Sequence, residues 1–275
     1  MPVTNLDELM LALKKGQRLS YTKSSVNTVA SGSNFFWLST GFPLAGAIPT
    51  AAAVCNNALV GALPLINRTG LEERLLGLAT YTATTAATTL EVEDRLAHMG
   101  GLNGTLTTAQ TVGVDCSLTT SNLVERIGAT DYSEIEWWLD VYATLGATSV
   151  TPTFNVTFND NTTGTANLFI LPIGTALLPA SALAGRRWQI IGAKPIKSIQ
   201  SVLLSATTGT VGNFGVTAVR KYVSLENILA GKIETYDYAK TGLPKIPDQA
   251  CVSFSGLGAN STTGAVFGSI RQAVN

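Results

Sequence analysis

Phe154-Asn155-Val156-Thr157-Phe158-Asn159-Asp160-Asn161-Thr162-Thr163-Gly164 decides the fold class. Apolar side chains fall at every second position as far as Phe158. After Asn159 the five residues Asp160 to Gly164 break the chain, and an extended pattern resumes from Asn167 to Ile170. A period of two is the signature of a strand with one buried face, and Asp, Asn, Thr and Gly between two such runs predict a hairpin with a polar turn.

The same period recurs on both sides of this hairpin. Residues 134 to 144 place Ile135, Trp137, Leu139 and Val141 on one face, opposite Glu134, Glu136, Trp138 and Asp140. Thr89 to Leu96 place Leu90, Val92 and Asp94 on one face and the charges Glu91, Glu93 and Arg95 on the other, which predicts a half-buried strand with a solvated edge. Residues 75 to 83 are β-compatible. Residues 197 to 206 and 211 to 222, separated by Thr207-Thr208-Gly209-Thr210, read as a second hairpin, and Ser224-Leu225-Glu226-Asn227 as the opening of a brief helical turn that ends at Gly231. Val252 to Phe254 and Ala265 to Phe267 supply terminal strands. Only the amino terminus has helical spacing, with Leu6, Leu9, Met10 and Leu13 on one side, Thr4 or Asn5 as cap and Lys14-Lys15-Gly16 as stop. Many short strands with Gly, Thr, Asn and Pro punctuation predict an all-β, jelly-roll-like antiparallel β-sandwich with a short N-terminal helix and extended arm. Residues 1–30 are assigned to the helix and arm and residues 31–275 to a single β-sandwich domain.

Charged residues make up 13% of the 275, against roughly a quarter in typical soluble domains. Between Lys23 and Arg68 there is no charged side chain at all, although the tract contains Phe35, Phe36, Trp37 and Phe42. A free monomer covers itself with charge, so this depletion points to a surface covered by other protein. Formal net charge is zero, which offers no field to a phosphate backbone and disfavours nucleic acid as a partner. The apolar tract from Gly41 to Ile66 is long enough to span a bilayer. Pro43, Pro49, Asn56, Asn57 and Pro64 interrupt it too often for one spanning helix, so no membrane is expected. Asp7 and Glu8 stand where an export signal would carry basic residues. Cys55, Cys116 and Cys251 are odd in number and lie among small or apolar residues, which suits buried thiols made in a reducing cytoplasm.

Chemistry is poorly represented. His98 is the only histidine, and no Gly-x-Ser-x-Gly elbow accompanies it, so it reads as a packed or interface residue. The Gly212/Gly215 and Gly256/Gly258 pairs are too fragmentary for a phosphate cradle. Glu91, Glu93 and Asp94, or Glu134 and Glu136, have the chemistry for a hard cation, but acidic residues on a wet strand face are ordinary. No catalytic residue, cofactor or metal is assigned, and an enzyme is not expected. The aromatic residues say more. Trp137 and Trp138 are adjacent on one strand and must point to opposite faces, so one fills the core and the other needs a second cover. Phe35, Phe36, Trp37, Phe42, Trp137 and Trp138 are therefore the interface candidates. A second covering layer from the same chain stays open for the outer tryptophan, as does a platform for a sugar ring.

Several stretches carry a resemblance. They are Asp94-Arg95-Leu96-Ala97-His98-Met99-Gly100-Gly101-Leu102, Thr107 to Gly113, Glu136-Trp137-Trp138-Leu139-Asp140-Val141-Tyr142, and Ser201 to Gly215. In style and order the chain resembles virion structural proteins encoded among the head genes of tailed bacteriophages. That resemblance implies a capsid decoration or cement protein, a β-rich module added to the outer shell, often as a homotrimer, that clamps neighbouring capsomers. Its partners would be itself and the phage major capsid protein, and its location the virion surface after synthesis in the host cytoplasm. A tail, neck or minor-spike component is the alternative within the same particle, and a carbohydrate-binding module the alternative of another class. Asp placed at Ala47 or Ala52 is expected to impair assembly more than folding.

Overall fold

A computed structural model describes residues 5–26, 32–67, 72–84, 88–117, 123–169, 177–258 and 264–274, and all but two of their side chains, at positions 25 and 26. Thr4, one of the two expected caps, and Ile170, the expected end of a strand, lie outside them. In chain order the elements are α1 (Leu6–Lys15), β1 (Arg18–Val26), β2 (Gly32–Phe35), β3 (Gly41–Phe42), β4 (Ala53–Val54), β5 (Arg74–Ala83) and β6 (Thr88–Leu102). Next come β7 (Gln110–Asp115), β8 (Ile135–Ala143), β9 (Pro152–Phe158), β10 (Thr163–Leu168), β11 (Arg186–Gly192) and β12 (Ile196–Leu204). The last are β13 (Asn213–Asn227), β14 (Glu234–Tyr236), α2 (Tyr238–Thr241), β15 (Val252–Gly258) and β16 (Gly264–Val274). The strands pair antiparallel, and the chain is of the all-β sandwich or barrel type with a short N-terminal helix, as its patterning predicts.

The chain divides into two compact units. The first comprises residues 1–47, 56–94 and 222–275, the second residues 48–55 and 95–221. In the first unit β14, β5, β16, β1 and β3 form one sheet in that order, and β15 pairs with β2 and β6. Its core includes Tyr21, Phe36, Leu63, Leu76, Tyr81, Leu90, Val92, Leu225, Phe254 and Ile270. In the second unit the order β13, β8, β11, β10, β9, β12, β7 surrounds a core that includes Leu96, Val112, Trp137, Leu139, Phe154, Val156, Ile199, Phe214 and Val216.

Local signals are realised closely. Asn5 caps α1 by accepting from the Glu8 backbone N–H at 2.9 Å, which satisfies one of the orphan donors of the first turn. Thr163 faces Thr157 and Ala166 faces Phe154 in the β9–β10 hairpin. The tract expected to form an extended arm is, over Arg18–Val26, a strand hydrogen-bonded between β16 and β3.

Three expectations are corrected. β12 and β13 do not form a hairpin with each other. β12 pairs with β9 and β7, and β13 pairs with β8, because long-range registers bury more apolar area than the local turn offers. Ser224 to Asn227 continue β13, and no helix forms between them and Gly231. The charges of β6 are not all solvated: Glu93, Asp94 and Arg95 are buried. Glu93 accepts from the Ser255 hydroxyl at 2.8 Å, and Asp94 from the Cys251 N–H at 2.8 Å and the Tyr222 hydroxyl at 3.3 Å. Those donors replace the lost water, without which a buried carboxylate is not tolerated.

Candidate interaction surface

The uncharged tract begins on β1. Alternation along Leu19, Tyr21 and Lys23 turns all three away from Ser20 and Thr22, and Lys23 is fully buried. Its ammonium donates to the Ser39 carbonyl at 3.0 Å and the Pro43 carbonyl at 2.6 Å. The charge at the head of the tract is thus spent inward, fastening both ends of the 39–43 loop to the sheet.

Phe35 ends β2, and Phe36 and Trp37 follow it. Alternation would expose at least one of the three unless both faces were covered, and all are buried in their own chain. β2 stops at Phe35, and Ser39 closes a turn by donating to the Phe36 carbonyl at 2.9 Å. The antiparallel register nevertheless runs on to Phe36, whose N–H donates to the Phe254 carbonyl at 2.9 Å, so alternation holds: Phe36 faces the core, and Phe35 and Trp37 share the opposite face. Phe36 enters the core opposite Gly256, where a Cβ would meet its ring at 2.6 Å. Trp37 stacks on Phe35 with ring centroids 5.4 Å apart. The Trp37 carbonyl accepts from Gly46 at 2.8 Å, and a Cβ on Gly46 would strike the indole at 2.8 Å, so glycine lets the loop cross it.

Among what the tract turns outward are large apolar side chains. Phe42 is 44% exposed and Leu44 68%, and Val60 and Ile66 are also exposed. Phe42 lies opposite Thr22, and Thr22 opposite Phe267, so the three share one row on one face of the sheet. The next row is Ser20, Ser269, Thr80 and Thr235, with the Thr80 and Ser269 hydroxyls 3.0 Å apart. Two adjacent rows thus carry hydroxyls and phenyl rings with no charge among them.

Trp137 and Trp138, in the other unit, obey the alternation. Trp137 is in the core and donates its indole N–H to the Ile196 carbonyl at 2.9 Å. Trp138 is half-buried on the opposite face, with the Arg187 guanidinium 4.9 Å from its ring centre. Arg187 is held by Asp140 through Nε at 3.0 Å, and Asp140 also accepts from Thr217 at 2.7 Å. The covering of Trp138 is therefore supplied in part by its own sheet. Of the six aromatic candidates, Phe35, Phe36, Trp37 and Trp137 are enclosed by this chain, Trp138 is half-covered, and Phe42 is presented to the outside. Lys23, Leu44 and Phe267 were not singled out by composition. The period of two from Leu19 to Lys23 is the signal that places Lys23 inward.

His98 is buried on β6 opposite Ala53. Desolvation, and then the charge of Arg95, lowers its pKa to about 3, so it is neutral at physiological pH. Tyr142 is raised beyond the usual phenol range by burial and by Asp140. Glu134 is exposed and paired with Arg220 at 2.7 Å. Cys55, Cys116 and Cys251 are buried and not disulfide-bonded. Among the described residues no group of three or more His, Cys, Asp or Glu could hold a metal ion, and no helix is long and apolar enough to cross a membrane.

No protein-family model matches the chain, and no curated protein does. Among solved structures, one of infectious bursal disease virus, Gt strain, aligns over 94% of this chain and 81% of its own at 10% identity, with a TM-score of 0.18. The VP2 subviral particle of infectious bursal disease virus aligns over 98% and 82% at 12% identity, with a TM-score of 0.17. Superpositions at that level carry nothing about fold or function.

Proposed function

We propose that this chain is a non-enzymatic structural protein of a tailed-phage virion, a decoration or cement protein that binds the outer shell as a homotrimer and bridges neighbouring capsomers of the major capsid protein. One observation carries the reading beside the resemblance in sequence. The tract from Lys23 to Arg68 buries its leading cation and turns Phe42 and Leu44 outward, beside sheet rows that hold hydroxyls and Phe267 but no charge. Apolar and hydroxyl groups held on a pinned loop lose little entropy on docking, and mass action on a crowded shell then favours the bound state. The fully buried aromatic residues serve the fold, and the contact is assigned to Phe42, Leu44 and their surroundings.

The test is location. A reconstruction of purified particles is expected to show this protein in hundreds of copies on the head. A few copies at a vertex, neck or tail would refute the cement role and favour the tail, neck or minor-spike reading, and its absence from particles would refute both. Leu44→Asp and Ala47→Asp place charge at exposed positions, so folding should be untouched while incorporation falls by roughly tenfold or more, the loss of one hot-spot contact. Unchanged incorporation of both variants would overturn the assigned surface.

A further inference from the structure

α1 carries a feature that packing within the chain does not use. Leu9 and Ala12 are buried against Ala273, with Leu13 packed beside them, and that fixes the inner face. On the outer side Asp7, Met10, Leu11 and Lys14 fall at i, i+3, i+4 and i+7, one continuous stripe of the helix. Met10 is 57% exposed and Leu11 52%, which is costly for two adjacent apolar residues facing water. Met10, Leu11 and Lys14 also line an open groove of about 630 Å³, together with Leu78, Tyr238 and the charged Asp237 and Arg271.

We propose that this stripe is a two-fold contact: α1 packs antiparallel against α1 of a second copy, Met10 against the second copy's Leu11, and each Asp7 beside the other's Lys14. The occupant follows from charge and spacing. The midpoint of the stripe lies between Met10 and Leu11, so reversing one helix about that point brings residue 7 opposite residue 14 at both ends. Acid meets base twice, whereas a parallel arrangement would set Asp7 against Asp7 and Lys14 against Lys14. An isologous contact of this kind closes on itself and forms no open filament. Ten residues of helix are about 15 Å long, so the contact is small and weak in isolation. It gains strength where copies are already held side by side, and between homotrimers it would join one to the next.

Acidic residues in the first turn and lysines in the last also suit the helix dipole of a lone α1, so loss of association on single substitution is not a sufficient test. Charge exchange is. Sedimentation velocity of the full chain from about 1 to about 200 μM, the range of a weak contact, is expected to show a self-association step. Asp7→Lys alone and Lys14→Glu alone should each weaken that step at least about tenfold, since each sets like charges together twice. An equimolar mixture of the two should recover it, because the lysine introduced at position 7 of one variant then meets the glutamate introduced at position 14 of the other, and the native Lys14 meets the native Asp7. Helical content unchanged by circular dichroism keeps the comparison between folded chains. Absence of any association step in the wild type, persistence of the step in both variants, or a mixture no better than its components would each overturn the proposal. It makes no assumption about the particle: pairing through α1 in a protein absent from virions would remove the cement role and leave this contact standing.

Discussion

Phe35-Phe36-Trp37 and Trp137-Trp138 present the same puzzle in sequence and solve it differently. In the first, Phe36 faces the core while Phe35 and Trp37 stack on the opposite face, where the loop at Gly46 crosses the indole and supplies a second cover. The second sits in the middle of β8, hydrogen-bonded on both sides by β11 and β13, and there no such cover closes over the outer ring. Trp137 must enter the core and Trp138 must leave it. Alternation holds in both runs, and what differs is whether the chain covers the second face. An aromatic run at a strand end is the poorer guide to a surface.

The comparison breaks most sharply under truncation. Trp37→Ala and Trp137→Ala remove fully enclosed indoles, and each is expected to cost about 3–5 kcal/mol in urea unfolding followed by circular dichroism. If residues 31–275 form one cooperative domain, as we propose, both variants move a single transition. β6 and β13, each of 15 residues, begin in one unit and end in the other, which favours that outcome. Two separable transitions, each displaced by only one of the variants, would instead make the units independent. Trp138→Ala should cost far less, about 1–2 kcal/mol, from a half-exposed ring and its guanidinium contact. A loss as large as that of Trp137→Ala would mean that the outer face of β8 is as tightly covered as the inner one.

A further effect separates the regions by pH. His98, the only histidine, lies in the unit of Trp137, and its folded pKa of about 3 is below the ordinary 6.5. The unfolded chain therefore takes up a proton that the folded chain refuses. Stability is present above pH 6.5 and is lost as pH falls toward 3, by up to about tenfold in the folding constant per pH unit. Between pH 6.5 and 5, above the carboxylate range, His98→Gln should flatten that slope. A slope unchanged by the substitution would show that another group carries it.

Several elements were legible without coordinates. The β9–β10 hairpin is read from five alternating residues and a polar turn, because its pairing is local and its turn chemistry specific. α1 is read from its cap and spacing. The β12–β13 hairpin fails because proximity in sequence says nothing about which distant edge offers the better register. The charges of β6 read as solvated because a sequence shows the period of a strand but not whether its second face is covered. Of the candidate surface, the missing charge was visible, and the choice of Phe42 over its aromatic neighbours was not.

By itself the sequence determined an antiparallel β protein with a capped N-terminal helix, an uncharged tract and little equipment for chemistry, because periodicity, turn residues and charge count are local properties. Only the tertiary structure decided that Phe35, Phe36, Trp37 and Trp137 are enclosed and that Phe42, Leu44, Met10 and Leu11 are not. The reason is physical. Burial of a side chain is settled by what lies across from it, and those partners come from strands tens to hundreds of residues away.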